Sequence, residues 1–268
     1  DDREKFARYW PADAHVVGKD ITRFHCLYWP AMLLSAGLPL PWQVAVHGFI
    51  ILEGQRISKT TGNIVDPVEL VDEFGADAVR YYLLRNLSFA SDGDFSRARL
   101  IQRYNDELAK DLGNLLNRVV TMIQRYRGGS IPAPGPTGDL EIDLQRVATE
   151  TRQQAETALE AWEIGNALNI IWRFVRRTNQ YLDQSEPWRL ASQPEKQAQL
   201  NTVLYSAAEA MRLLAVYLAP FIPGASHRIM SQLGLDTVSE AAWTSEETWG
   251  SRTLTSVKAG PLLFPRYE

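Results

Sequence analysis

The sequence predicts a short parallel α/β unit followed by an all-α helical bundle, and three observations carry that expectation. Two apolar runs of strand type, "AHVVG" and the stretch from Gln43 to Leu52, flank a helix candidate from Ile21 to Ser35. Strand, helix, strand is the rhythm of a parallel sheet, whose ligands sit at the carboxyl ends of the strands. From Asp66 onward the pattern turns helical and stays so, with apolar residues recurring at a period near 3.6. Only two or three strands fit in the first 65 residues, too few for a complete doubly wound domain. We place the division at residues 1–95 and 96–268.

Each helical element has a local reason. Asp66 before Pro67 is a good N-cap and first helical position, with Glu69 at capping-box spacing. "ADAVRYYLLRNL" is a further helix, and Ser96 caps a long one from about Arg97 to Arg127. The loop "RGGSIPAPGPTGDL", with three prolines and four glycines, must break it. Helices over about 142–183 and 194–219 follow, then a shorter one over 224–233. The tail "LTSVKAGPLLFPRYE" is extended, because Pro261 and Pro265 oppose helix.

Bulk composition is that of an ordinary globular chain: 268 residues, 45% hydrophobic, 22% charged and a net charge of −4. Residues 96–130 nonetheless hold seven Lys or Arg against three Asp or Glu, so a polyanion would touch the protein there. The single cysteine, Cys26, can form neither a disulfide within the chain nor a cysteine-based zinc site. We expect a reducing, cytoplasmic location and no membrane partner, since no apolar run is long enough to span a bilayer. The polar start "DDREKFARYW" lacks an initiator Met, as expected of a fragment.

Two stretches carry chemistry. In "GFIILEGQRISKTTGN" a strand leads into a polar turn bearing Arg56, Ser58, Lys59 and Thr60; a hydroxyl-flanked lysine on such a loop suits closure over a polyphosphate, following charge onto a leaving pyrophosphate. On the long helix, Arg103, Glu107, Lys110, Asn114, Arg118 and Arg125 fall within an arc of roughly 80° at 100° per residue. A solvated face is the bland explanation. Asn114 and Asn117 favour recognition instead, because an amide offers the donor and acceptor that base edges require.

The first stretch resembles the signature loop of class I aminoacyl-tRNA synthetases, and its flanks are similar to the methionyl-tRNA synthetase family. "YWPADAHVVGKDITRFHCLYWPAMLLSAGLPLP" and "FGADAVRYYLLRN" share that likeness, which covers essentially the whole chain. The resemblance implies the C-terminal part of a Rossmann-like parallel sheet followed by the helical anticodon-binding domain. It implies catalytic roles for Lys59, Ser58 and Arg56, with Arg56 standing where the family has a lysine. It implies ATP contacts from Gly18, Asp20, His47, Gly48, Ile50 and Lys59. His25 and Trp29 match the methionine pocket, where sulfur-aromatic contact would select a thioether. Asn114, Arg118, Trp188 and Lys110 match positions that read a CAU anticodon, and a stacking ring with edge-bonding side chains is apt chemistry for a splayed loop.

The expected substrates are methionine, ATP with Mg2+ and tRNA(Met). Part of the machinery is missing from the sequence, since none of His15, His25, His47 and His227 forms the His-x-Gly-His motif of the opposite half of the site. The missing N-terminal half of the catalytic domain is therefore an expected partner, without which we expect no adenylation. An incomplete sheet should also expose an edge and an apolar face. A non-catalytic RNA-binding module and a different class I synthetase are the alternatives.

Overall fold

The computed structural model describes residues 2–52, 54–56, 65–235 and 248–268, with backbone alone at Gln55 and Arg56. The chain opens with helix α1 (Asp2–Tyr9) and strand β1 (Ala14–Gly18). An irregular helical stretch follows: a 3-10 turn (Lys19–Ile21), a π turn (Phe24–Tyr28) and α2 (Trp29–Ser35). Strand β2 (Gln43–His47) pairs in parallel with β1, as the strand, helix, strand rhythm required.

The run from Gln43 to Leu52 is two strands, not one. The chain leaves β2 at Gly48 and enters β3 (Ile50–Leu52), which belongs to a second sheet of order β4-β3-β5 with β4 (Gln55–Arg56) and β5 (Gly93–Phe95). The Gly48 and Phe49 amides donate to the Phe89 carbonyl and the Asp92 carboxylate instead of continuing a ladder. Those partners lie some forty residues downstream, so the break has no local signal.

Helix α3 (Pro67–Phe74) begins as expected: Asp66 accepts the Val68 amide at 2.8 Å and Pro67 fills the first turn. Glu69 makes no reciprocal bond among the described residues. Helix α4 (Ala76–Asn86) then locks onto the far end of the chain. Asp77 receives the Gly224 and Ala225 amides, and Arg80 donates to the carbonyls of Pro220 and Phe221. One short helix thus satisfies orphan groups between α10 (Gln197–Leu218) and α11 (Pro223–Gln232).

The long helix is α5 (Arg97–Arg103), a π segment (Tyr104–Gly113) and α6 (Asn114–Arg127). The wider winding of the π segment departs from 100° per residue, and it turns Glu107 inward, to 5% exposure, where the sequence placed it outside. The stretch 142–183 is likewise a hairpin of α7 (Asp139–Glu160) and α8 (Ile164–Ser185). The turn bends at Trp162, whose φ of 59° is unusual for any residue but glycine. With no Gly, Pro or Asn at the bend itself, the chain carries no helix breaker there. Short α9 (Pro187–Leu190) completes the order.

One contiguous core runs from Leu70 to Phe264, with α10 buried along nearly its whole length. The first fifty residues contrast sharply. Among the described residues, thirteen of the 18 exposed large apolar side chains, Phe6 to Ile50, belong to them, which is the uncovered apolar face expected of a partial sheet.

Candidate functional site

The carboxyl ends of β1 and β2 lie side by side, because parallel pairing makes Gly18 and His47 register partners. Gly18, Asp20, His47 and Gly48 are thereby gathered on one rim. A Cβ on Gly18 would lie 2.7 Å from the Asp20 carboxylate, so that side chain folds back over the strand end. Asp20 caps no helix: neither the 3-10 nor the π turn has a side-chain cap. His47 Nδ1 donates to the Gly48 carbonyl at 2.9 Å. A carbonyl can only accept, so Nε2 remains a free acceptor when the ring is neutral. Ile50 opens β3 and is half-exposed.

The glycine at 48 has a physical reason that differs from the expected close approach of a nucleoside. A Cβ there would fall 2.2 Å from the Ser91 carbonyl carbon and oxygen and 2.6 Å from the Asp92 amide. The loop after α4 therefore occupies the space. The same loop reaches the rim through Lys19, whose ammonium meets the Asp92 carboxylate at 2.6 Å and lies 4.6 Å from the Phe49 ring centroid.

His25 and Trp29 come together in an aromatic cluster that sequence reasoning only half found. His25 Nδ1 donates to the Ile21 carbonyl at 3.0 Å within the π turn, and its ring is 6.0 Å from that of His15. Trp10 stands edge-on to Trp29 at 5.9 Å and lies 6.3 Å from His15. Buried His15 Nε2 has no hydrogen-bond partner among the described residues. The motif "YWPADAH" held both missed residues, whose ring neighbours Trp29 and His25 lie on α2 and the π turn that follow β1.

Ser58 and Lys59 lie outside the described residues, as do Ile57 and Thr60. Of Arg56 the backbone is placed, paired with Ile51 across the β3-β4 hairpin.

In the bundle, Asn114 and Lys110 are exposed, and neither side chain has a partner among the described residues. Arg118 is committed to α8: it donates to Asn179 at 3.3 Å and to Asp183 at 2.6 Å. Glu186, at φ 45°, ends α8 in a left-handed turn and Pro187 starts α9. That corner presents Trp188, 46% exposed and without a ring partner among the described residues. An exposed indole beside a turn is a stacking platform.

Behind Lys110 sits the charged node the helical wheel misplaced. Glu107 accepts from the Tyr81 hydroxyl at 2.5 Å and Arg103 at 2.6 Å, with Arg85 at 3.3 Å. Burial, then the adjacent carboxylate, pushes the Tyr81 hydroxyl well above its usual range. The described residues contain no group of three potential metal ligands and no helix long and apolar enough to cross a membrane.

Known proteins share this sequence pattern and fold. The family model for class I tRNA synthetases (M) matches residues 1–120, and that for the anticodon binding domain of methionyl tRNA ligase matches residues 131–264. The methionine–tRNA ligase of Caldanaerobacter subterraneus subsp. tengcongensis is 47% identical over 265 residues, 99% of this chain and 41% of that protein. That of Bacillus subtilis is 44% identical over 266 residues, 99% of this chain and 40% of the relative. The chain therefore spans about 40% of the length of these curated relatives. Mycobacterium tuberculosis methionyl-tRNA synthetase bound by methionyl-adenylate superposes with a TM-score of 0.91 at 36% identity, over 98% of this chain and 52% of that one. Both family models, the curated relatives and the solved structure agree on sequence and fold together: the chain belongs to the methionyl-tRNA synthetase family of class I tRNA synthetases.

Proposed function

We propose that this chain is part of a cytoplasmic methionine–tRNA ligase, supplying one side of the methionine and ATP site together with the anticodon reader. The observation that carries this reading is the tie of Arg118 to the end of α8 at Asp183, five residues before the exposed Trp188. This tie supports grouping the Asn114 amide, the Arg118 guanidinium and the Trp188 indole into one reader, the donors and platform a single-stranded loop requires.

In the activation step the methionine carboxylate attacks the α-phosphate of ATP and pyrophosphate leaves, giving methionyl-adenylate. Lys59, with Arg56 and Ser58, takes up charge on the departing pyrophosphate, and Mg2+ entering with ATP as substrate would supply further neutralisation. Gly18, Asp20, His47 and Ile50 receive the nucleoside beside the glycine at 48, and His25 and Trp29 receive the thioether. The acyl group then passes to the terminal ribose of tRNA(Met). The N-terminal half of the catalytic domain closes the site, so this chain alone leaves adenylation incomplete.

The test is methionine-dependent exchange of pyrophosphate into ATP after co-expression with the N-terminal part of a curated relative. Exchange that depends on Lys59 supports the ligase. Anticodon-selective RNA binding with no exchange would favour the non-catalytic module, and exchange driven by another amino acid would favour a different class I synthetase.

A further inference from the structure

A groove of about 490 Å³ lies between α5, the π segment and α8, below the proposed anticodon reader. Its wall carries Arg99, Arg103, Lys110 and Arg176 against Asp106, Glu107 and Asp111. Counting charges alone suggests near neutrality, but the partners decide otherwise. Glu107 is already consumed by Tyr81, Arg85 and Arg103. Asp111 lies 3.6 Å from Arg176, and burial pushes its carboxyl above the usual range. Arg99 and Lys110 are exposed, and their side chains make no hydrogen bond or ion pair with the described residues. Arg176 keeps half its side chain in solvent and reaches its acidic neighbours only at 3.6 Å. The cations are thus available to an outside anion, whereas Asp106 is the one acid of the groove left exposed and unpaired among the described residues.

Lys110 belongs both to this groove and to the helix row that continues through Asn114 and Arg118. A polyanion bound at those positions would run down the groove. The π segment (Tyr104–Gly113) lies between Arg99 and Asn114 and sets their relative rotation. We propose that Arg99, Lys110 and Arg176 form a second RNA site, binding the phosphodiester backbone of the tRNA body beside the anticodon arm without reading sequence. Asp106 opposes that contact and limits its strength. This inference rests on the RNA-binding reading above and adds a sequence-independent component to it.

The experiment measures binding of full-length tRNA transcripts, one bearing CAU and one with a single anticodon base changed, over a series of salt concentrations. Arg99→Ala should weaken both transcripts by the same factor, about three- to tenfold at about 0.1 M salt, and make the plot of log K against log salt shallower by ~0.7–0.9. Asp106→Asn should tighten both about two- to threefold, a gain that misfolding cannot produce. Unchanged affinity and slope in Arg99→Ala, with the wild type still preferring CAU, would overturn this inference and leave the anticodon reader standing. A loss confined to the CAU transcript would also overturn it, because the groove would then read sequence. Wild-type protein that binds neither transcript would remove the RNA-binding reading and this inference with it.

Discussion

Arg118 on α6 donates to Asp183 on α8 at 2.6 Å, and this pair ties the helix that carries Asn114 and Arg118 to the end of α8, just before the Trp188 corner. Its side chains are 34% and 63% exposed, so its contribution to stability is small, within about 1 kcal/mol. Its role is orientation. Asp183→Asn should therefore lower the preference for a CAU hairpin several-fold while the urea midpoint hardly moves. A large drop in the midpoint with unchanged discrimination would show that the pair is structural.

Glu107 makes the opposite prediction. Its carboxylate and the Arg85 guanidinium are each only 6% exposed, so removing one leaves the other buried without its partner. Glu107→Ala should cost about 3–5 kcal/mol of unfolding free energy, against about 0.5 kcal/mol or less for the exposed Lys110→Ala. Equal, small losses in urea denaturation would mean that the node is not a support for the bundle.

Gly48→Ala tests the account of the strand break. The new methyl group would meet the Ser91 and Asp92 backbone at 2.2 and 2.6 Å, and neither can swing aside as a side chain could. The junction of β2 with β3 should loosen by about 1–3 kcal/mol. Hydrogen exchange would show faster exchange at Gly48, Phe49 and Gly93 with the bundle unchanged. Gly18→Ala crowds the Asp20 carboxylate at 2.7 Å and touches the His47 ring at 3.7 Å, both side chains that can swing aside, and should be the milder change.

A pH-dependent contact ties the tail to α3. Tyr267 donates its hydroxyl to Glu73, which also receives Arg97, and the Tyr267 ring lies 4.7 Å from Phe74. The Tyr267 hydrogen bond, followed by that from Arg97, holds the Glu73 carboxyl below its usual range despite some opposing desolvation. A depressed folded-state value stabilises the fold above the unfolded carboxylate pKa of about 4.3 and is lost as pH falls through the folded value. Glu73→Gln should therefore be less stable than wild type at neutral pH, and the gap should close in acid. A gap that stays constant down to about pH 3 would exclude this linkage.

Much of this was legible in the chain. Asp66 and Ser96 announced their helices because an N-cap is local chemistry, and the parallel pair followed from the rhythm of two apolar runs around a helix. What the sequence concealed depends on distant neighbours. The turn at Trp162 carries no glycine, and its ring stacks on Phe89 at 5.1 Å, a contact from the other half of the chain. Glu107 looked like a surface acid until the π winding turned it toward Arg85. Trp10 and His15 acquire meaning only beside Trp29 and His25. Lys59 and Ser58 rest on the likeness of their loop to the family signature.

The proposed reader of the anticodon is the corner at Trp188 with the face at Asn114 and Arg118. Its most direct test is the affinity of this chain for an anticodon stem-loop bearing CAU, against the same hairpin with one anticodon base changed, at one fixed salt concentration, since phosphate contacts alone can mimic affinity. The account predicts a clear preference for CAU that Trp188→Ala removes, with about 1–3 kcal/mol lost on the CAU hairpin. Equal binding of both hairpins by the wild type, or a preference that survives Trp188→Ala, would contradict it.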